Sequence, residues 1–394
     1  MEFVSQEAPQ PEITDGTSPS CGSSSSPPPC ASTSSTRKLE LPKNYHFELE
    51  KTFLRIKQKG AKRVALQFPE GLLMFSAAIA DVIEEETGAE CVILGDVTYG
   101  ACCVDDYAAV SLGCDFLVHY GHSCLISIKD CLLPNMMYVF VEIDIDITHF
   151  VDTVRALVRP SERVCCIATI QFVSSLRAAI SLLQAENFFE HPVVVPQARP
   201  LSSGELLGCT SPVVDSAAID TVLFIGDGRF HLESFMIHNP DIKALQYNPY
   251  EKRLTHEQYQ HAEMHALRRA AVKEASGAGS LGLIMGTLGR QGNAKVVDRV
   301  ASLAERQGKQ VTMFLMSEIF PSKLAKIPDV DAFVQVACPR LSIDWGYAFD
   351  RPLLNPYEAE VALQGSTAWR DVYPMDHYAK AGGKWAVYTD KDLQ

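Results

Sequence analysis

The sequence predicts an α/β protein of three consecutive Rossmann-like domains with parallel sheets, set pseudo-threefold around a shared centre. A strand, an amphipathic helix and further strands recur three times between residues 42 and 380, the order that yields parallel sheets with right-handed crossovers. Each repeat spans roughly 100 to 130 residues, the size of a small domain. Hydrophobic residues make up 47% of the chain, enough for three conventional cores.

Taken in order, residues 1–41 are rich in Ser and Pro, with Ser23 to Ser26 running into Pro27 to Pro29. So little apolar content cannot offset the entropy of ordering, and a disordered tail is expected, with Cys21 and Cys30 as bystanders. The first domain, 42–150, opens on a buried strand from Arg63 to Phe68. A helix follows with Leu72, Phe75, Ile79, Val82 and Ile83 on one face and Gly88 placed to end it. Strands at Cys91 to Leu94 and Phe116 to Tyr120 complete the unit.

The second domain, 151–255, repeats this with a strand at Arg163 to Ala168, a helix carrying Val173, Leu176, Ile180 and Leu183, and strands at Val193 to Val195 and Thr221 to Ile225. In the third, 256–380, the strand Leu281 to Met285 precedes a helix with Val296, Val300 and Leu303, then strands Val311 to Leu315 and Ala332 to Val336. Residues 381–394 read as a C-terminal tail.

A formal charge of −13 with no basic block argues against a tight grip on a nucleic-acid backbone, and a basic protein partner fits better. No run of about 18 uncharged apolar residues is present, and the N-terminus lacks the basic-then-apolar pattern of a signal peptide. A cytoplasmic location is therefore expected. There, the twelve cysteines are mostly free thiols, and Cys91, Cys165 and Cys166 read as small packing residues within strands.

Three other cysteines stand apart. Cys102, Cys209 and Cys338 each lie just past a strand-like run, one per domain, 107 and 129 residues apart. Three thiolates that converged could hold an iron–sulfur cluster and leave one iron open to substrate. The spacing fits no local Cys motif, so three ordinary buried thiols explain it as well. Their loop settings beside Gly100, Gly208 and Pro339 favour ligands, because loops at strand ends present side chains. Cys102 and Cys209 follow the second strand of their units and Cys338 the third, so the contributions need not be symmetric. Of the adjacent pair Cys102 and Cys103, only one is expected to face a metal, since neighbours in an extended turn point apart; Cys102 is preferred.

Two glycine-rich turns follow strands and precede helices: Asp227, Gly228 and His231 lie in one, Gly286, Thr287, Gly289 and Arg290 in the other. Such turns let a ligand approach the backbone at a helix N-terminus, although tight turns alone also explain them. The strand end with Gln67, Glu70 and Gly71 is a third possible edge, or an ordinary helix start on Pro69. His119, His122, Cys124 and Cys131 could be drawn as a zinc site, a grouping that also arises without a metal. GxSxG, HExxH and kinase motifs are absent, which removes the hydrolase and kinase readings.

The same residues carry a resemblance. The segments GDVTYGACCVDD (95–106), HYGHSC (119–124), QARPL (197–201), LGCTSP (207–212), GDGRFHLES (226–234), GTLGRQG (286–292) and VACPRLSIDWG (336–346) resemble the eukaryotic subunit 1 family of 2-(3-amino-3-carboxypropyl)histidine synthases, which serve the first step of diphthamide biosynthesis. The likeness covers about residues 42–375. It implies three domains that each give one cysteine, Cys102, Cys209 and Cys338, to a 4Fe-4S cluster. It further implies a non-conventional radical enzyme using S-adenosyl-L-methionine to place a 3-amino-3-carboxypropyl group on carbon 2 of a histidine in elongation factor 2, with no catalytic residue assigned beyond the cluster. Expected partners are a related subunit 2 in a heterodimer, a small iron-binding electron-donor protein and a J-domain protein. Gln67, Glu70, Gly71 and the two glycine-rich turns are the expected cofactor contacts. A quinolinate synthase-like 4Fe-4S dehydratase and a non-catalytic iron–sulfur scaffold are the alternatives.

Overall fold

The computed structural model describes residues 41–96, 98–365 and 368–388. Most of the Ser/Pro-rich tail, with Cys21 and Cys30, lies outside them. The described residues belong to one compact unit that contains three four-stranded sheets.

The first sheet runs Glu90–Ile93, Arg63–Gln67, Phe116–Tyr120, Met136–Val139, all parallel. In the third, Gln310–Met316, Ser280–Gly286, Ala332–Val336 and Leu353–Leu354 are likewise parallel. The second sheet places Val164–Ala168 beside Thr221–Ile225 and Lys243–Asn248, then closes with Arg253–Glu257 antiparallel at the edge.

Val193 to Val195 do not form the expected strand; one parallel bridge between Cys165 and Val194 marks its place. Pro192 and Pro196 flank this run and remove ladder donors, which confines it to an edge contact. With that bridge included, all three sheets share one order: second, first, third, fourth. Four strands beyond the sequence expectation, Met136–Val139, Lys243–Asn248, Arg253–Glu257 and Leu353–Leu354, extend the sheets on the side of their third strands.

Central strands such as Thr221–Ile225 and Ala332–Val336 are buried at every position, as both faces of a covered parallel sheet require. The helices supply the cover. Ser76–Thr87 grows out of a 3-10 turn and ends on Gly88 at φ +70°, and it buries Ile79 and Ile83 against Val64 and Leu66. Leu176 and Leu183 cover Leu223 and Ile225 in the second sheet. Ala294–Arg306, capped by the Asn293 side chain on the Val296 amide, buries Val296 and Val300 against Leu281 and Leu283. Each fully buried Val or Leu contributes about 1.5–3 kcal/mol, so these faces hold each sheet to its own helices.

One further cluster sets the sheets around the site. The opposite face of the first sheet, with Ala65 and Leu117, packs with Ala101, Val104, Leu201 and Tyr378, and Cys102 and Cys209 lie against it. Tyr378 comes from a C-terminal segment that returns after helix Pro356–Gln364. The described chain continues in order past residue 380: Trp385 and Ala386 are buried, and the Trp385 indole donates to Asp376 at 2.5 Å.

Candidate metal centre

The three cysteines reach one region from three loops. Cys102 sits in a turn closed by the Cys103 amide donating to the Gly100 carbonyl at 2.9 Å. Cys209 lies between Leu207 and Thr210, which bridge one another. Cys338 caps helix Pro339–Trp345. All three are half-buried.

They also sense each other. The adjacent Cys103 thiol pushes Cys102 well above the usual thiol range, with burial and then the charges of Cys209 and Cys338 adding to it. Burial and then Cys338 push Cys209 up to about 12. Cys338 is raised by burial, while the Arg340 and Leu341 amides at the helix start oppose that, as a helix N-terminus does for a thiolate. Without a cation the three thiols would stay protonated at neutral pH; a bound metal reverses that preference.

Among the described residues, no three His, Cys, Asp or Glu side chains close to single-ion distance. The zinc grouping on His119, His122, Cys124 and Cys131 therefore has no such set: the His119 ring is instead paired with Gln67 at 2.7 Å. The cysteine trio is likewise spaced more widely than one ion needs. Three thiolates with one open iron are a donor set suited to a multi-iron cluster, which is larger than an ion.

Cys102 and Cys103 do not point apart as an extended turn would make them. The tight turn keeps the two thiols in contact, and Cys103 is held down to about 7 by Cys102. Their surroundings separate them instead: Cys103 is buried and accepts from Gln291 Nε2 at 3.4 Å, whereas Cys102 senses the other two cysteines.

The remaining sequence-selected residues fall into two groups. Gln67 is buried and donates to the Cys103 carbonyl at 2.8 Å, while its oxygen accepts from the Asp105 amide at 3.2 Å, so it clamps the cysteine turn. On that turn, too, lies the loop carrying Gly286, Thr287, Gly289 and Arg290. The Arg290 amide donates to the Cys102 carbonyl at 2.9 Å, and its guanidinium forks onto Asp106 at 2.7 and 2.5 Å. Its plane lies 4.0 Å from the Tyr107 ring centre. Arg290 is thus spent on joining the third sheet's loop to the first sheet's. Gly286 ends its strand against Ala337, and the Thr287 amide pairs with Met316.

Gly71, Asp227 and His231 line a different feature, a cavity of about 320 Å³ between the first and second sheets that also includes His122, Thr169 and Tyr250. The Thr169 hydroxyl in it is buried without a partner among the described residues. Burial lowers both His122 and His231 to about 4, Arg340 adding to the effect on His231, so both imidazoles are neutral at pH 7. Glu70 and Gly228 adjoin this cavity in sequence without lining it.

Gly289 has φ +53°, and a Cβ there would stand 2.5 Å from the Cys103 backbone carbon. Gly289→Ala should therefore cost roughly 1–3 kcal/mol and disturb the cysteine turn. Gly308 shares a positive φ, +71°, but has open space around it, so Gly308→Ala should cost less. Urea midpoints of the two variants check this, and equal shifts would show that the close approach does not matter.

Sequence reasoning missed three groups at this centre. Arg340 is buried and joins the second and third parts, donating to the Phe230 carbonyl at 2.7 Å and to Glu233 at 2.5 Å. Its place two residues after Cys338 was a usable signal. Asp106 gave none beyond its nearness to Cys102. Tyr378 lies outside the recurring pattern, yet it is buried and its hydroxyl is pushed well up by burial and then by Cys102, Cys209 and Cys338.

The Diphthamide_syn family model, described as "Putative diphthamide synthesis protein", matches residues 68–374. The chain is 52% identical over 356 residues to 2-(3-amino-3-carboxypropyl)histidine synthase subunit 1 of Dictyostelium discoideum, covering 89% of this chain and 74% of that protein. The protein of the same name from Homo sapiens is 53% identical over 354 residues, covering 89% and 80%. Among solved structures, that of Dph2 from Pyrococcus horikoshii with a 4Fe-4S cluster aligns at TM-score 0.69 and 28% identity, covering 86% of this chain and 95% of that one.

Proposed function

Because the chain belongs to the diphthamide synthesis protein family, among its 2-(3-amino-3-carboxypropyl)histidine synthase subunit 1 members, we propose that it transfers the 3-amino-3-carboxypropyl group of S-adenosyl-L-methionine to carbon 2 of a histidine in elongation factor 2. The supporting observation is the meeting of three half-buried thiols from three loops in a fold that, in a solved relative, carries a 4Fe-4S cluster. Cys102, Cys209 and Cys338 would hold the cluster. When bound, it supplies the electron that breaks a carbon–sulfur bond of the cosubstrate.

The rest of the chemistry is positioning. Gln67, Gly289 and Arg290 fix the Cys102 turn, and Arg340 fixes the helix after Cys338 against the second part of the chain. The cavity with Gly71, Asp227 and His231 is where part of the cosubstrate would lie. Its neutral imidazoles and its one carboxylate, Asp227, suit a cationic sulfonium better than charged histidines would. Holding the sulfonium in place makes bond cleavage effectively unimolecular.

Partners in this reading are a related subunit 2 as a heterodimer, a small iron-binding electron donor, a J-domain protein and elongation factor 2, in the cytoplasm. No described helix is long and apolar enough to cross a membrane. Anaerobic reconstitution with labelled S-adenosyl-L-methionine and elongation factor 2, with and without the second subunit, should place label on one histidine peptide by mass analysis. Cluster loading with no labelled peptide in the complete mixture would overturn the assignment.

A further inference from the structure

The described chain from Met375 to Tyr388 behaves as a strap across the candidate metal centre. Its first half is stitched to the Cys209 loop: Asp376 bridges Thr210, and the Ser211 amide donates to the Met375 carbonyl at 2.8 Å. The His377 amide reaches the Cys209 carbonyl at 3.3 Å, and the Tyr378 amide reaches Thr210 Oγ1 at 3.1 Å. Further along, the Lys380 amide donates to the Arg199 carbonyl at 2.9 Å. The far end is pinned to the first part of the chain, where the Tyr388 hydroxyl donates to the Leu125 carbonyl at 3.1 Å and accepts from the Ser127 amide at 3.4 Å. Between these ends the strap folds on itself, the Val387 amide meeting the His377 carbonyl at 2.8 Å.

Tyr378 therefore sits where two of the cysteine-bearing parts are tied together. It is 2% exposed, and it packs in the same apolar cluster that Cys102 and Cys209 lie against. Cys102, Cys209 and Cys338 all act electrostatically on its hydroxyl. The family match ends at residue 374, so this segment falls just beyond the matched part.

Resting on the iron–sulfur reading above, we infer that the strap completes the metal centre, with the Tyr378 ring as the wall that keeps solvent and solutes off the side facing the three thiols. Solvent exposure is one of the factors that govern cluster behaviour, and a strap held at one end by backbone hydrogen bonds and at the other by the Tyr388 hydroxyl is a means of excluding water without contributing a ligand.

The test compares the full chain with Tyr378→Phe, Tyr378→Ala, Tyr388→Ala and Cys102→Ala after anaerobic reconstitution. Iron per chain, visible absorption and the rate of iron release to an added chelator are read. The native protein and Tyr378→Phe should load fully and release iron at rates within about twofold, because the ring is kept. Tyr378→Ala should load but release iron at least about tenfold faster, the scale on which groups around a metal site act. Tyr388→Ala, which frees one end of the strap while keeping the Tyr378 ring, should accelerate release in the same direction and serves where the Tyr378→Ala protein fails to fold. Native release rates in both alanine variants would overturn the inference while leaving the cluster assignment standing. A Cys102→Ala protein that loads like the native chain would instead remove the cluster assignment, and the strap's role with it.

Discussion

Alanine at Cys102, Cys209 or Cys338 should each abolish stable iron binding, whereas alanine at Cys103 or Cys91 should leave it in place. Each of the three ligand candidates would hold one of the four irons of a four-iron cluster. Even groups that merely orient ligands change metal affinity by ~10–100-fold, so losing a ligand should exceed that. Cys103 is the informative control. It is adjacent to Cys102 and shares its turn, but it is buried against Gln291. Cys91 lies in the edge strand of the first sheet. Iron content and visible absorption after anaerobic reconstitution decide the matter. Loss on Cys103→Ala with retention on Cys102→Ala would exchange their roles.

A stability effect of similar weight should follow from Arg268→Met. Arg268 and Glu358 are 2% and 0% exposed by side chain, and their two parallel hydrogen bonds are both 2.7 Å. Arg268 also donates to the Leu353 carbonyl at 2.7 Å, and Tyr373 donates to Glu358 at 2.8 Å. Glu358 closes a capping box with Asn355 at the start of helix Pro356–Gln364. Removing the arginine alone leaves a buried, unpaired carboxylate, which costs about 3–5 kcal/mol. The double variant Arg268→Met with Glu358→Leu removes both charges and should recover much of that loss, although it also forfeits the capping box at about 1 kcal/mol. Urea unfolding of both proteins checks the pair. A double variant no more stable than Arg268→Met would show that the charge is not the dominant cost. Because the pair joins helix His261–Ser276 to the helix just before the strap, its loss should also loosen the C-terminal segment.

How much of this was legible differs by kind of interaction. Central strands such as Arg63–Gln67 and Thr221–Ile225 announced themselves as short apolar runs, because burial on both faces demands it. The amphipathic helices announced themselves through spacing, and Gly88 marked a stop. Val193 to Val195 looked like a strand by composition alone, and flanking prolines reduced it to one bridge. The short edge strands Arg253–Glu257 and Leu353–Leu354 carry little pattern of their own and exist because a neighbour offers a ladder.

By itself the sequence determined the recurring α/β order, the cysteine after each repeat's strand and the family that those motifs resemble. Those are properties of contiguous residues, set by periodicity and by turn chemistry within a few positions. Only the tertiary structure decided that Cys103 is buried against Gln291, and that Gln67 and Arg290 are engaged in holding a loop. It likewise decided that Tyr378 packs in the cluster that Cys102 and Cys209 lie against. Each of those outcomes pairs residues far apart in the chain, and which partners meet depends on packing between separate sheets that no local pattern encodes.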